Sequence, residues 1–389
     1  MVETATRKEY LPFGKPNFSE EEIAAVTRVM RSGWVGMGPE TILFEKELAE
    51  YTGAPHIVTV DSCTSALFLS LLVQGINAND EVVCPSLTWC STANAILYLG
   101  ATPVFCDIDP ETLCTTTEHI LSKVTSRTKA VIVVHYGGLT VNVAELRLAL
   151  PNNIAIIEDA AHAFGSFYHG GKRVGSSENL TCFSFYANKN LCTAEGGAIA
   201  LFDELVAERL ASLRQHALPI NAWKRFSHAN TIILSNQLSR LGYKMNYTDL
   251  QAAIGRIQLA RQSGFAEIRL KIAHCYYDNL KDFSPAITCQ RDCCGPHHAR
   301  HLFVIQLPLE KIKKGRNEIL LELRAKNIGA SIHYAPLHLM PLYNGKKQPP
   351  SLPVTENVAE KIITLPISAS MNESDAQYVI AHLLKIISH

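Results

Sequence analysis

An α/β fold is what this sequence predicts: a large domain on a seven-stranded, mostly parallel sheet, followed by a smaller C-terminal α/β domain. Three observations carry the prediction. Seven short apolar runs, rich in Val, Ile, Ala and Cys, recur as far as Phe202, separated mostly by helical or loop segments, and that alternation builds parallel sheets. After position 262 the pattern changes to a long amphipathic segment and a shorter α/β stretch. A length of 389 residues exceeds one ordinary core and leaves a second unit of ordinary domain size. The expected division is 1–262, including the N-terminal segment, and 263–389.

The elements follow in order. Ser19 with Glu22 forms a capping box that opens a helix with Ile23, Val26 and Met30 on one face. A second helix, from about Ile42 to Tyr51, ends at Gly53, a residue suited to a left-handed C-cap. The expected strands are Ile57–Asp61, Glu81–Pro85, Pro103–Ile108, Ala130–His135, Ala155–Asp159, Thr181–Phe185 and Ala198–Phe202. Thr248 opens the helix TDLQAAIGRIQLA, whose length and pattern suit packing on another helix or another subunit. The segment FAEIRLKIAHCYYDNL leads into the second unit. There we expect strands at His301–Leu307 and Ala330–Tyr334, a helix near Arg316–Lys326 and a final helix from about Asn372. KKQPPSLP is proline-dense and reads as a loop.

Composition excludes several classes. Lys plus Arg equals Asp plus Glu at 36 each, so bulk charge favours no nucleic-acid partner. MVETATRKEYLPFG has no apolar signal region and no apolar run is long enough to span a bilayer; a cytoplasmic protein without membrane partners is expected. Most of the 11 cysteines sit in apolar runs, as reduced buried cysteines do. CQRDCCGPHH gathers Cys289, Cys293, Cys294, His297 and His298. It lacks the two separated ligand pairs of a structural zinc site, so we read a polar surface loop and no metal.

The chemistry lies between Ile154 and Gly197. IAIIEDAAHAFGS places Asp159 and His162 at the end of one buried-type strand, and TCFSFYANKNLCTAEGG places Ser184 and Lys189 at the end of another. A carboxylate and a lysine so placed are what pyridoxal phosphate (PLP) requires. The lysine condenses with the cofactor aldehyde, and the carboxylate keeps the pyridine nitrogen protonated. Each residue has a plainer alternative. Lys189 would otherwise be a solvated surface lysine, Asp159 a helix N-cap, His162 a packed core histidine and Trp89 a core tryptophan. The Gly-Gly pair behind Lys189 allows close backbone approach. Ser62-Cys63-Thr64-Ser65 follows a strand and opens a helix, so its backbone N–H groups face an anion, although ordinary capping explains them equally.

The chain resembles the PLP-dependent sugar aminotransferases of the DegT/StrS family, which have the fold type I (aspartate aminotransferase-like) architecture. The motifs run nearly end to end: SGWVGMGPETILFEKELAEYTGA, VDSCTSALFLSL, CPSLTWCSTANAILYLGATPVFCDID, TKAVIVVHYGG, IEDAAHAFGSFYHG, SFYANKNLCTAEGG, YKMNYTDLQAAIGRIQL, ASIHYAPLHLMPLY and TLPIS. Within the family, PSLTWCST, EDAAHAFGS and KNLCTAEGG are most similar to the branch that makes UDP-4-amino-4-deoxy-L-arabinose. SIHYAPLH and WVGMG depart from that branch, and Cys63 stands where many relatives have glycine.

The resemblance implies a transaminase that carries an amino group from L-glutamate to a nucleotide-linked keto-sugar, with a 4-keto sugar the leading substrate. A 3-keto sugar or an aminocyclitol stays open. It implies catalytic Lys189, Asp159 and His162. Cys63, Thr64, Trp89 and Ser184 would help hold the cofactor, His333 and Tyr334 the substrate. Asn246 would come from the neighbouring subunit, so that a homodimer shares its sites. The related sugar dehydratases carry histidine in place of the lysine, and the presence of Lys189 speaks against that chemistry; a non-catalytic PLP-holding protein is the remaining rival.

Overall fold

The computed structural model describes residues 6–218, 238–344 and 348–388. Its large sheet contains β1 (His56–Val60), β2 (Glu81–Pro85), β3 (Thr102–Cys106), β4 (Thr128–Val134), β5 (Ala155–Asp159), β6 (Leu180–Ser184) and β7 (Gly197–Leu201). Each of the seven apolar runs expected as strands up to Phe202 is one, with ends shifted by no more than two residues. The strand order is β1-β7-β6-β5-β4-β2-β3. β7 runs antiparallel to both neighbours, and every other pairing is parallel. Continuous apolar runs suit such strands because both sheet faces are covered. Ile132 and Ile157 enter the core on one face, while Val131, Val133 and Ile156 enter that on the other, as the two-residue period of a strand requires.

This topology gathers the polar strand ends. β1, β2, β4, β5 and β6 all point the same way, so Ser62, Ser86, His135, Asp159 and Ser184 emerge along one edge. The carboxyl edge of a parallel sheet is where α/β proteins bind ligands. Beneath it, Glu158 is fully buried and accepts hydrogen bonds from His135 Nε2 (2.8 Å), the Tyr168 hydroxyl (2.6 Å), the Ser177 hydroxyl and Asn179 Nδ2 (2.8 Å). Burial alone would raise this carboxyl group's pKa, but the bonds from His135, Ser177 and Tyr168 outweigh it and hold the pKa below the usual value. A buried charge satisfied on this scale anchors the end of β5, and with it Asp159.

The second unit has a three-stranded antiparallel sheet of β8 (Thr288–Cys289), β9 (Phe303–Gln306) and β10 (Ile362–Leu365), in the order β10-β9-β8. Helices Gln262–Leu280, Arg316–Ala325 and Glu373–Ser388 pack on it around Ile272, Tyr276, Phe303, Ile305, Leu323 and Leu383. The N-terminal segment reaches this unit: Leu11 lies in the same core and bridges Ile328.

Three expectations change. Ala330–Tyr334 is no strand. Only Ser331 pairs, with Thr364, and β10 takes the sheet position while the chain turns toward the carboxyl edge of the large sheet. The first helix, Glu20–Ser32, has its capping box, but Glu22, Ala25 and Val29 face inward. Ile23 and Met30 are exposed, because Gln258 and Arg261 draw the Glu22 carboxylate into the interior. The CQRDCCGPHH segment is also no surface loop throughout, since Gln290, Cys293 and His298 are buried. Gln290 Nε2 donates to the carbonyls of Thr112 and Tyr136, which draws the segment inward. Within KKQPPSLP, positions 346 and 347 lie outside the described residues; Gln348–Leu352 is irregular and Pro353 opens a helix.

Candidate active site

A cavity of about 480 Å³ lies at the carboxyl edge of the large sheet, within the size range of small-molecule sites. Cys63, Thr64, Trp89, Asp159, His162, Ser184, Lys189, His333 and Tyr334 all line it. Of the residues expected from the sequence, Asn246 alone does not. Its side chain donates to the Tyr247 carbonyl (2.9 Å) and accepts from Lys244. Val35, Gly36 and Met37 of WVGMG are also absent from the lining.

Asp159 ends β5 on the cavity floor. Its Oδ2 accepts from the Thr92 hydroxyl (2.8 Å) and its Oδ1 from the Ala161 N–H (3.2 Å). The second contact is the local turn of the plainer reading, while the first fixes the carboxylate toward the cavity. Burial raises the pKa of this carboxyl group, and the Thr92 bond only partly offsets the rise. Among the described residues no cation bonds to the carboxylate; a pyridinium would supply one.

Lys189 opens onto the cavity rather than bulk water. Desolvation pushes its amine down to about 8, against a smaller upward pull from Cys63 and Asp159. A strongly depressed lysine beside a carboxylate is the electrostatic pattern of a reactive amine. Its Nζ lies 3.3 Å from Nε2 of His301, a residue that strand-like periodicity had not marked as functional. His301 arrives from the second unit, so only tertiary packing reveals it.

His162 is buried and kept neutral. Burial dominates, with Lys189 and His333 adding to the depression of its pKa. The Gly137 N–H donates to Nδ1 (3.3 Å), which leaves the ring proton on Nε2. That N–H then donates to the Tyr334 oxygen at 3.1 Å. The Tyr334 hydroxyl proton is thereby free to point into the cavity. His333 lies beside it, its Nδ1 2.8 Å from the Thr364 hydroxyl and its pKa pushed down by burial to about 4.

The helix Cys63–Val73 begins at the cavity with Ser62 as its N-cap. The first N–H groups of a helix have no intrahelical acceptor, and Cys63 and Thr64, the first two residues of this one, line the cavity. Gly197 lets β7 pass this turn. A Cβ there would sit 2.7 Å from the Cys63 nitrogen and 2.8 Å from the Phe183 oxygen. The close approach expected of the Gly-Gly pair is therefore real. Trp89 is 59% exposed, which rules out the core reading; its ring centroid is 5.7 Å from that of Tyr334. Among the described residues, no three His, Cys, Asp or Glu side chains converge as a metal site.

A depressed lysine, a buried carboxylate and a helix N-terminus around one cavity of an α/β sheet define a transaminase-type site. The chain belongs to the DegT/DnrJ/EryC1/StrS aminotransferase family, whose profile matches residues 16–384, and it is an aminotransferase of the fold type I architecture. It is 39% identical to the spore coat polysaccharide biosynthesis protein SpsC of Bacillus subtilis over 98% of both chains. Solved structures of other aminotransferases are similar, two of them as follows. The aminotransferase TlmJ of Streptoalloteichus hindustanus is 32% identical, with a TM-score of 0.88 over 97% of this chain and 99% of that one. Spr1654 of Streptococcus pneumoniae, assigned as a sugar aminotransferase and solved in a PLP form, is 28% identical, with a TM-score of 0.87 over the same shares.

Proposed function

We propose that this protein is a PLP-dependent transaminase that moves the amino group of L-glutamate to a nucleotide-linked keto-sugar, most favourably a 4-keto sugar, in amino-sugar biosynthesis. The observation that carries this reading is the convergence of Lys189 and Asp159 on one cavity whose far wall is a helix N-terminus. The sugar class draws support from the family, from the polysaccharide role of SpsC and from the assignment of Spr1654. The 11 unpaired cysteines suit a reducing, cytoplasmic setting. Among the described residues no helix is long and apolar enough to cross a membrane. We place the domain boundary near residue 262, where the long helix Gln262–Leu280 begins.

The residues present fit the cofactor. The N–H groups of Cys63 and Thr64 and the Ser184 hydroxyl would bind its phosphate, the helix N-terminus favouring the negative charge. Asp159 would hold the pyridine nitrogen, Trp89 would cover the ring face and Lys189 would hold the aldehyde carbon. When bound, the group supplies a carbonyl that captures amines and a ring that takes up electrons. Lys189 Nζ is an uncharged amine in growing proportion above about pH 8, and it is the atom placed to take and return the substrate proton. The Tyr334 hydroxyl and His333 face the remaining space and would orient the sugar. Turnover with L-glutamate against a panel of keto-sugar nucleotides tests this. Glutamate should bleach the visible band of the PLP-loaded protein, and at least one 4-keto sugar nucleotide should restore it. A band indifferent to glutamate and to every amino donor would overturn the reading.

We further propose a homodimer with shared sites. Ile23, Met30, Val35, Ile42 and Leu43 are exposed apolar side chains on the first two helices and the turn between them, a surface that calls for a partner. Asn246, off its own chain's cavity, would reach the partner's cofactor phosphate. Mixing Lys189→Ala chains with Asn246→Ala chains should then regain activity, because a two-fold heterodimer contains one intact site. If Asn246 served its own chain, every site would carry a defect and nothing would be regained.

A further inference from the structure

We propose that His301 is the positioning residue of Lys189: its Nε2–H donates to the lone pair of the uncharged lysine amine and aims that amine into the cavity. This goes beyond the transaminase reading and rests on it only for what the aimed amine then does.

The geometry begins with how firmly His301 is held. The Ala299 N–H donates to the Gly138 carbonyl (2.9 Å) and the Leu302 N–H to the Gly137 carbonyl (3.1 Å), which stitches both flanks of His301 to the turn after β4. The fit is close, since a Cβ on Gly138 would lie 2.9 Å from the His162 oxygen and 3.0 Å from the Ala299 nitrogen, at a φ of +109°. The Arg269 guanidinium is buried and donates to the Arg300 and Ile367 carbonyls (3.1 and 3.2 Å). Next to the lysine, Asn190 Nδ2 donates to the Ala299 carbonyl at 2.7 Å. The lysine turn and the histidine strand are therefore clamped side by side, and the 3.3 Å contact between Lys189 Nζ and His301 Nε2 follows from two fixed backbones.

The direction of the hydrogen bond follows from the surroundings. Burial disfavours an extra proton on His301 most, and the neighbouring Lys189 and Arg269 add to it while His162 and His333 face it as neutral rings, so the ring is neutral with a single N–H. Nδ1 of His301 is buried with no hydrogen-bond partner among the described residues. Were the proton on Nδ1, it would be a buried donor with no acceptor; on Nε2, it meets the lysine nitrogen. An ammonium on Lys189 offers donors only, so it would force the ring into the unsatisfied tautomer. Cys63 and Asp159 pull Lys189 toward the charged form. His301 opposes that pull and favours the uncharged amine.

The test uses the cofactor-free full-length protein. Trace acylation by acetic anhydride across a pH series, read on the Lys189 peptide by mass spectrometry, gives the midpoint at which that amine becomes reactive. The expected wild-type midpoint is about 8. In His301→Leu it should rise by about one unit, a tenfold smaller amine fraction at pH 7. His301→Gln, whose amide N–H can donate in the same place, should recover at least half of that shift. An unchanged or lowered midpoint in His301→Leu would overturn the proposal. If that variant does not fold, the nitrogen shifts of 15N-histidine in the wild type decide: His301 protonated on Nε2 supports the proposal, and protonation on Nδ1 overturns it. Neither measurement needs PLP or a substrate, so failure of the transaminase reading would appear separately, as a glutamate-insensitive visible band.

Discussion

Lys189→Ala is expected to stop amino transfer, lowering turnover by at least about 10²–10⁴-fold, the range for loss of a positioned proton carrier, while the protein still folds. The lysine opens onto the cavity, where its amine meets the His301 ring. Its burial holds the amine down to about 8, so folding gains nothing from its charge. Removing it should change unfolding free energy by no more than about 1 kcal/mol. The helix N-terminus at Cys63–Val73 and the Asp159 carboxylate, the groups proposed to hold the phosphate and the ring, are untouched, so PLP should still bind, now reversibly and removable by dialysis. A small added amine should restore part of the turnover, because the substitution leaves room at the cavity wall. Stopped-flow absorbance with L-glutamate reads the chemistry and urea unfolding reads the fold. A surface lysine would give a variant with undiminished turnover, and that result would remove Lys189 from the mechanism.

The large sheet was legible because its strands are buried on both faces. Runs such as AVIVV and IAIIED have no competing helical period, and their polar ends fall together once the pairing is parallel. Asp159, Ser184 and Lys189 were readable for the same reason: each lies at or just past the end of such a run. The second unit was less legible. His301 reads as the first residue of an apolar strand, and its approach to Lys189 depends on Gly137 and Gly138 bringing a distant turn within hydrogen-bonding distance of Ala299 and Leu302. Ala330–Tyr334 has strand-like composition, but Ile362–Leu365 pairs with β9 instead, and local sequence does not record which segment wins a sheet edge. The outward face of the first helix misled for a related reason. Ile23, Val26 and Met30 form a good apolar stripe, yet the inward face is fixed by a buried polar cluster of Glu22, Gln258 and Arg261. Ile23 and Met30, left exposed, are themselves informative, since exposed apolar side chains on one helix mark a surface suited to a partner.

Asp159→Asn should separate activity from stability and move them in opposite directions. The substitution preserves shape: the amide oxygen still accepts from the Ala161 N–H, and the Thr92 hydroxyl, which donates to Asp159, turns to accept from the new NH2 group. The site's principal loss is the charge. Because that charge matters most as electrons accumulate on the cofactor ring, turnover should fall by about 10²–10³-fold, comparable to loss of one preorganised electrostatic contact. Stability of the cofactor-free protein should rise at neutral pH. The sign follows from burial, which raises the folded-state pKa of Asp159 above its unfolded value. Such a group contributes its stability at acid pH and loses it as pH climbs through the raised folded value. Asparagine does not titrate there, so the variant escapes the penalty at neutral pH and the two proteins converge as the medium is acidified. Adding PLP should reverse the order, because the wild-type carboxylate gains a pyridinium partner and the amide does not. Thermal melting with and without PLP at neutral and acid pH, alongside turnover, makes the comparison. If Asp159 were only the cap of the Ala161 turn, asparagine, an equally good cap, would leave turnover near the wild-type level and PLP would stabilise both proteins alike.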